Sequence, residues 1–134
     1  MSNKNLKILY WTLTILFLLP TAGSAIPELF MNGPEQTVES LKRLGYPLYL
    51  MKILGLSKIL GAAVILIDKY PRLKEWAYAG FSIIFLGATA SHILANDVSV
   101  APIPFTMFLI MISSYFIWHK LTDKSLNNAK NVLL

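Results

Sequence analysis

The 134-residue sequence contains no cysteine and little charge. Without cysteine the chain has no thiolate nucleophile, no thiolate metal ligand and no disulfide relay. Charged residues make up 14% of the chain, whereas soluble domains carry about 25%. Apolar residues make up 55% and fall in long blocks, so the remaining charge cannot cover a water-facing surface. These shortages exclude thiol chemistry and indicate an integral membrane protein.

Four apolar blocks are long enough to cross a membrane, since a spanning helix needs roughly 20 mostly apolar residues. They cover residues 6–26, 48–67, 76–95 and 100–121. None of them alternates apolar and polar positions, so a membrane β-barrel is a poor alternative. The length allows one domain, residues 1–134. The sequence therefore predicts an all-α fold, an antiparallel four-helix bundle in contact with the lipid bilayer.

Basic residues are distributed unequally between the two sides of this predicted bundle. Eight lie on the side of both termini and two on the opposite side. This excess predicts that both termini are cytoplasmic, in a bacterial-type inner membrane. The basic start and the small residues 22–25 also resemble a signal peptide, but the length and flanks favour a first membrane helix.

The longest polar connection joins the first and second blocks. In it, Val38, Leu41 and Leu44 recur at three-residue spacing, with charged residues on the other faces. Pro34 suits a helix start and Gly45 a helix end. The pattern predicts a short amphipathic helix at the membrane interface. A plain connector is favoured over a functional lid.

Lys58 lies near the middle of the second block, where a lysine costs about 2.5–3.5 kcal/mol. Gly55 and Ala62, at helical spacing from it, indicate that this face packs against other helices. No acidic residue lies at mid-depth in the predicted spans, so no partner for Lys58 is evident. It can lose its proton, bond to carbonyls freed near Pro20, or contact a polar ligand. Lys52, nearer the helix end, is expected to reach the surface.

His92 and Asp97 close the third block at the same end as Lys52. A histidine that lines a cavity binds ligands or carries protons, but near an interface it is as often structural. His119 lies at the opposite end, so the two histidines cannot share an ion and no metal site is expected. The sequence has no phosphate loop, serine–histidine–acid set or dinucleotide fingerprint, and no basic patch for nucleic acid.

Several runs, in order along the chain, resemble the DoxX-like family. They are residues 44–47, 52–55, 58–62 and 71–81, then Gly87-Ala88 and Ser91-His92. Asn96 stands where the family would have glycine. The resemblance implies a compact four-helix membrane protein, similar to the small membrane subunit of a thiosulfate:quinone oxidoreductase and to proteins that assist receptor assembly. It leaves the catalytic residues unknown and implies these ligand-binding candidates: Tyr46, Lys52, Lys58, Glu75, Ser91, His92 and Asp97.

The favoured hypothesis is a pocket on the outer side that binds a small lipophilic molecule such as a quinone. Lys58 and Lys52 would supply positive charge and His92 a proton. Glu28 or Asp97 would orient these groups. The chain would then resemble a membrane subunit of a quinone-linked oxidoreductase.

Two other hypotheses stay open. An accessory subunit or assembly factor would pack against a partner membrane protein, or a second copy, through the small residues Gly80 and Gly87. A small proton-coupled transporter would need a carboxylate in its first helix, and the predicted first helix has none.

Overall fold

The computed structural model describes residues 2–134, and these form five α-helices without a β-strand. The helices are α1 (Asn3–Phe30), α2 (Glu35–Leu44), α3 (Leu50–Ile67), α4 (Pro71–Leu94) and α5 (Pro102–Leu133). All except α2 are long and apolar enough to span a membrane. The predicted all-helical class and the four membrane spans are therefore confirmed.

Local sequence determines where several helices begin and end. Proline opens α4 and α5, where its missing N–H costs no intrahelical hydrogen bond. The Ser2 hydroxyl accepts a hydrogen bond from the Asn5 amide and caps α1. Gly45 ends α2 in the left-handed conformation with φ 80°, which glycine adopts without strain.

Two helices extend beyond the predicted blocks. α5 continues past residue 121 to Leu133, and α1 continues past residue 26, through Pro27, to Phe30. The longer α1 includes Glu28, whose side chain is only 3% exposed. The prediction that the first helix lacks a carboxylate is therefore wrong. An apolar block ends where polar residues begin, but a helix can continue and bury a charge when a partner compensates it.

The four long helices pack in a ring, because α1 and α4 each contact both α3 and α5. Aromatic side chains fill the centre. The centroid of the Phe17 ring lies 5.9 Å from that of Phe81 and 6.2 Å from that of Tyr78. Gly61 makes room for this cluster, since a Cβ there would lie 2.9 Å from a ring carbon of Phe81. Ala62 is buried in the same core, as its helical spacing from Lys58 predicted.

The short helix α2 lies where the amphipathic pattern predicted a helix. It contacts α3, and its apolar Leu41 is buried. Gly33 and Gly45, both with φ 80°, flank it. We call the end of the molecule that carries α2 the α2 end, and the opposite end, near the start of α4, the Lys74 end.

Candidate functional site

A cavity of about 360 Å³ lies at the α2 end. Five helices contribute to its lining, and α2 presents only polar side chains to it. The apolar wall includes Ile84, Phe85, Ala88, Ile103 and Met107. The polar side chains of the lining are Thr21, Ser24, Glu28, Gln36, Thr37, Ser40, Lys58 and His92.

Lys58 forms an ion pair with Glu28 across the contact between α1 and α3. Its Nζ donates to both carboxylate oxygens at 3.0 Å and lies 3.4 Å from Ser24 Oγ. The side chains are 14% and 3% exposed, respectively. The prediction of an unpaired central lysine is therefore wrong, because its partner lies outside the apolar block of the first helix.

Gly55 allows this pair to form. A Cβ at Gly55 would lie 3.1 Å from the Ala25 carbonyl oxygen and 3.2 Å from Glu28 Cβ. Only glycine lets α1 approach α3 this closely without a shift. Lys58 follows Gly55 by three residues and so lies on the same face of α3. The close approach thus positions the lysine beside the carboxylate.

His92 belongs to a second group of charges at the edge of the cavity. Its Nδ1 lies 3.0 Å from Asp97 Oδ2, and the same carboxylate oxygen lies 3.6 Å from Arg43 Nη1 of α2. The neighbouring Tyr46 hydroxyl is hydrogen-bonded to Ser91 Oγ at 2.7 Å. These contacts lie close to the cavity. They hold α2, and the turn that follows it, against the end of α4.

Two of the predicted site residues lie elsewhere. Lys52 donates to the carbonyl oxygens of Leu29 at 3.0 Å and Met31 at 2.5 Å, so it caps the end of α1. Glu75 accepts a hydrogen bond from the Tyr115 hydroxyl at 2.9 Å, near the start of α4. Glu75 precedes His92 by seventeen residues, or about 25 Å of helix, so the two cannot act on one small ligand.

The burial of Lys74 was not predicted from the sequence. Lys74 is 1% exposed, and its Nζ lies 2.5 Å from Asp68 Oδ1. The ammonium also lies 4.8 Å from the centroid of the Tyr10 ring and 4.6 Å from that of Trp118, which is cation–π geometry. The spacing of Lys74 from Tyr78 is that of core positions on one helix face, and this signal was available in the sequence.

A hydroxyl network lies beside Lys74 in the core. Ser114 Oγ is hydrogen-bonded to Thr14 Oγ1 at 2.7 Å and to the Tyr78 hydroxyl at 2.8 Å. Thr14 and Ser114 are fully buried. These groups satisfy one another, as buried polar groups in a membrane protein must. Within residues 2–134, no group of three or more histidine, aspartate or glutamate side chains could hold a metal ion.

Four apolar helices around buried polar clusters define a small integral membrane protein with four membrane spans. Comparison with protein families gives a match over residues 12–114 to the DoxX-like family, and the chain belongs to this family. The resemblance found in the sequence is thus confirmed. Comparisons with curated proteins and with solved structures gave no match.

Proposed function

We propose that the cavity at the α2 end binds a small lipophilic molecule with a polar head group, such as a quinone. Its volume of about 360 Å³ falls within the range of about 300–1,000 Å³ that is typical of ligand pockets. An apolar wall with a few convergent polar groups is also typical of such pockets. The observation that carries the proposal is that Glu28, Lys58 and His92, from three helices, line one mostly apolar cavity.

The head group would bind beside the Glu28–Lys58 pair. Two of the three N–H groups of Lys58 are directed to Glu28 at 3.0 Å, whereas the contact with Ser24 Oγ is long, at 3.4 Å. The third N–H is therefore the group that would donate to an oxygen of the ligand. In this setting the chain would serve as the membrane subunit of a quinone-linked oxidoreductase.

The proposal includes a topology for the chain. The four spans would form an antiparallel bundle, and the excess of basic residues favours a cytoplasmic position for both termini in a bacterial-type cell. α2 then lies at the outer interface, as its amphipathic pattern suggests. The cavity consequently opens toward the outer side of the inner membrane.

The experiment is mass spectrometry of organic extracts from the purified wild type and two variants. Ala88→Phe fills the cavity without altering the ion pair, and Ala90→Phe makes the same change two residues along α4, at an exposed position outside the lining. The wild type and Ala90→Phe are expected to retain a lipophilic molecule near one equivalent. Ala88→Phe is expected to lose it. Bulk lipid alone in all three samples, or full retention in Ala88→Phe, would refute the proposal.

An accessory role is the second candidate function. Gly80 and Gly87 have no atom within 4 Å of an added Cβ, so α4 does not use them for packing within the chain. Both remain available to a helix of a partner membrane protein or of a second copy. Gly87→Leu is then expected to abolish co-purification of a partner without unfolding the chain.

A proton-coupled transporter is the third candidate. The objection that α1 lacks a carboxylate no longer applies, because Glu28 lies buried within it. If this function is correct, Glu28→Gln in liposomes should abolish uptake driven by a pH gradient. Glu28 forms a buried ion pair with Lys58, which proton transport would have to break, so we rank this function last.

A further inference from the structure

We propose that the ligand of this cavity carries a hydroxyl group, which donates a hydrogen bond to Nε2 of His92. The ligand class is then a phenol, another lipophilic alcohol, or a quinol, which is the reduced form of a quinone. The oxidised quinone can accept from Lys58 but has no hydroxyl proton for His92. This inference rests on the proposed ligand-binding function. It specifies which chemical group of the ligand the cavity recognises.

The contact with Asp97 determines which ring nitrogen of His92 remains available to a ligand. Asp97 Oδ2 lies 3.0 Å from His92 Nδ1, and an ionised carboxylate only accepts hydrogen bonds. In the tautomer that donates from Nδ1 to Asp97, Nε2 keeps a lone pair and can accept a hydrogen bond.

Nε2 is the polar atom that His92 offers to a ligand. His92 lines the cavity and Asp97 does not. Within the described residues 2–134, Nδ1 has its partner in Asp97, whereas no hydrogen bond is made by Nε2. A ligand that fills the cavity would shield Nε2 from water, and a shielded acceptor without a partner is unfavourable. A ligand that donates to Nε2 therefore gains binding energy over one that does not.

The charges around the cavity also favour an uncharged donor. Glu28 pairs with Lys58, and Asp97 pairs with Arg43. A charged ligand would have to displace one member of such a pair and leave it unpaired. A neutral hydroxyl group does not, and its oxygen can still accept from Lys58 while its proton is donated to His92.

The test compares two probes, 4-hexylphenol and its methyl ether, 4-hexylanisole. They share the ring and the alkyl chain, but only the phenol has a proton to donate. Binding to the full chain in detergent is measured by isothermal titration calorimetry. The wild type is expected to bind the phenol about tenfold more tightly than the ether, the ratio that one unpaired buried acceptor produces.

Two variants separate the hydrogen bond from general packing. His92→Phe is expected to bind both probes equally. Asp97→Asn allows Nδ1 to accept from the amide, which moves the proton to Nε2 and should remove the preference for the phenol. A merely structural role of Asp97 would weaken both probes alike and leave the ratio at tenfold.

Each outcome has one meaning. Equal binding of both probes to the wild type would overturn the hydroxyl inference and leave the proposed pocket intact. Binding of neither probe above the level seen with Ala88→Phe would overturn the inference together with the proposed function. A tenfold ratio that persists in both variants would overturn the role of His92.

Discussion

Replacement of Lys58 by methionine tests the ion pair at the α2 end, because the two side chains have similar length and differ in charge. In the variant, both oxygens of Glu28 lose an ammonium group at 3.0 Å, and the side chain is only 3% exposed. Loss of one partner of a buried pair costs about 3–5 kcal/mol, since the other charge stays buried without compensation. Lys58→Met is therefore expected to lower the free energy of unfolding by about this amount.

The double variant Glu28→Met/Lys58→Met removes the whole pair and leaves an apolar contact. Its stability is expected to equal or exceed that of the wild type, as is common when buried pairs are replaced by apolar residues. The assay is unfolding by sodium dodecyl sulfate in mixed micelles, followed by circular dichroism. Lys52→Met is the matched control: it alters a lysine of the same helix that only caps α1, at about 1 kcal/mol.

The double-mutant cycle gives the result that would refute this reasoning. A coupling energy below about 1 kcal/mol between the two sites would mean that the pair does not act as a unit. The same conclusion would follow if the double variant were as unstable as Lys58→Met.

Two further predictions concern the Lys74 end and use the same unfolding titration. Asp68→Asn is expected to lower the free energy of unfolding by about 1 kcal/mol more than Lys74→Met does. Asp68→Asn leaves a lysine that is 1% exposed without its partner, whereas Lys74→Met leaves an aspartate that is 44% exposed and can be hydrated. Equal costs would contradict this. Ser114→Ala is expected to cost about 2 kcal/mol, because the buried hydroxyls of Thr14 and Tyr78 lose their shared partner. A neutral Ser114→Ala would mean that these hydroxyls find other partners.

The membrane spans could be predicted because the bilayer imposes a simple rule. Its core offers no water to the backbone, so an apolar stretch of sufficient length must be helical. The same rule explains the boundary errors. Hydropathy measures where a helix meets lipid, not where it stops, and α1 and α5 continue as helices into polar sequence. The internal face of α3 was predictable from Gly55 and Ala62, since small residues mark close helix contacts.

The partners of the charged residues could not be predicted in the same way. Lys58 and Glu28 are thirty residues apart and on different helices, so their meeting depends on how α1 packs against α3. His92 and Asp97 are close in sequence, and their contact followed from that. Glu75 and Lys74 are adjacent but point to different neighbours. The lysine side chain is buried in the core, whereas the glutamate side chain is hydrogen-bonded to Tyr115.

The Glu28–Lys58 pair also has a consequence for how the chain enters the membrane. A charged residue at the centre of a single helix costs about 2.5–3.5 kcal/mol during insertion by the translocon. Here the two opposite charges lie on α1 and α3, which are consecutive spans. The two charges can compensate each other only when both spans are in the membrane at the same time. We therefore expect the first two spans to leave the translocon as a hairpin, with Lys58 entering the lipid against a carboxylate that is already in place.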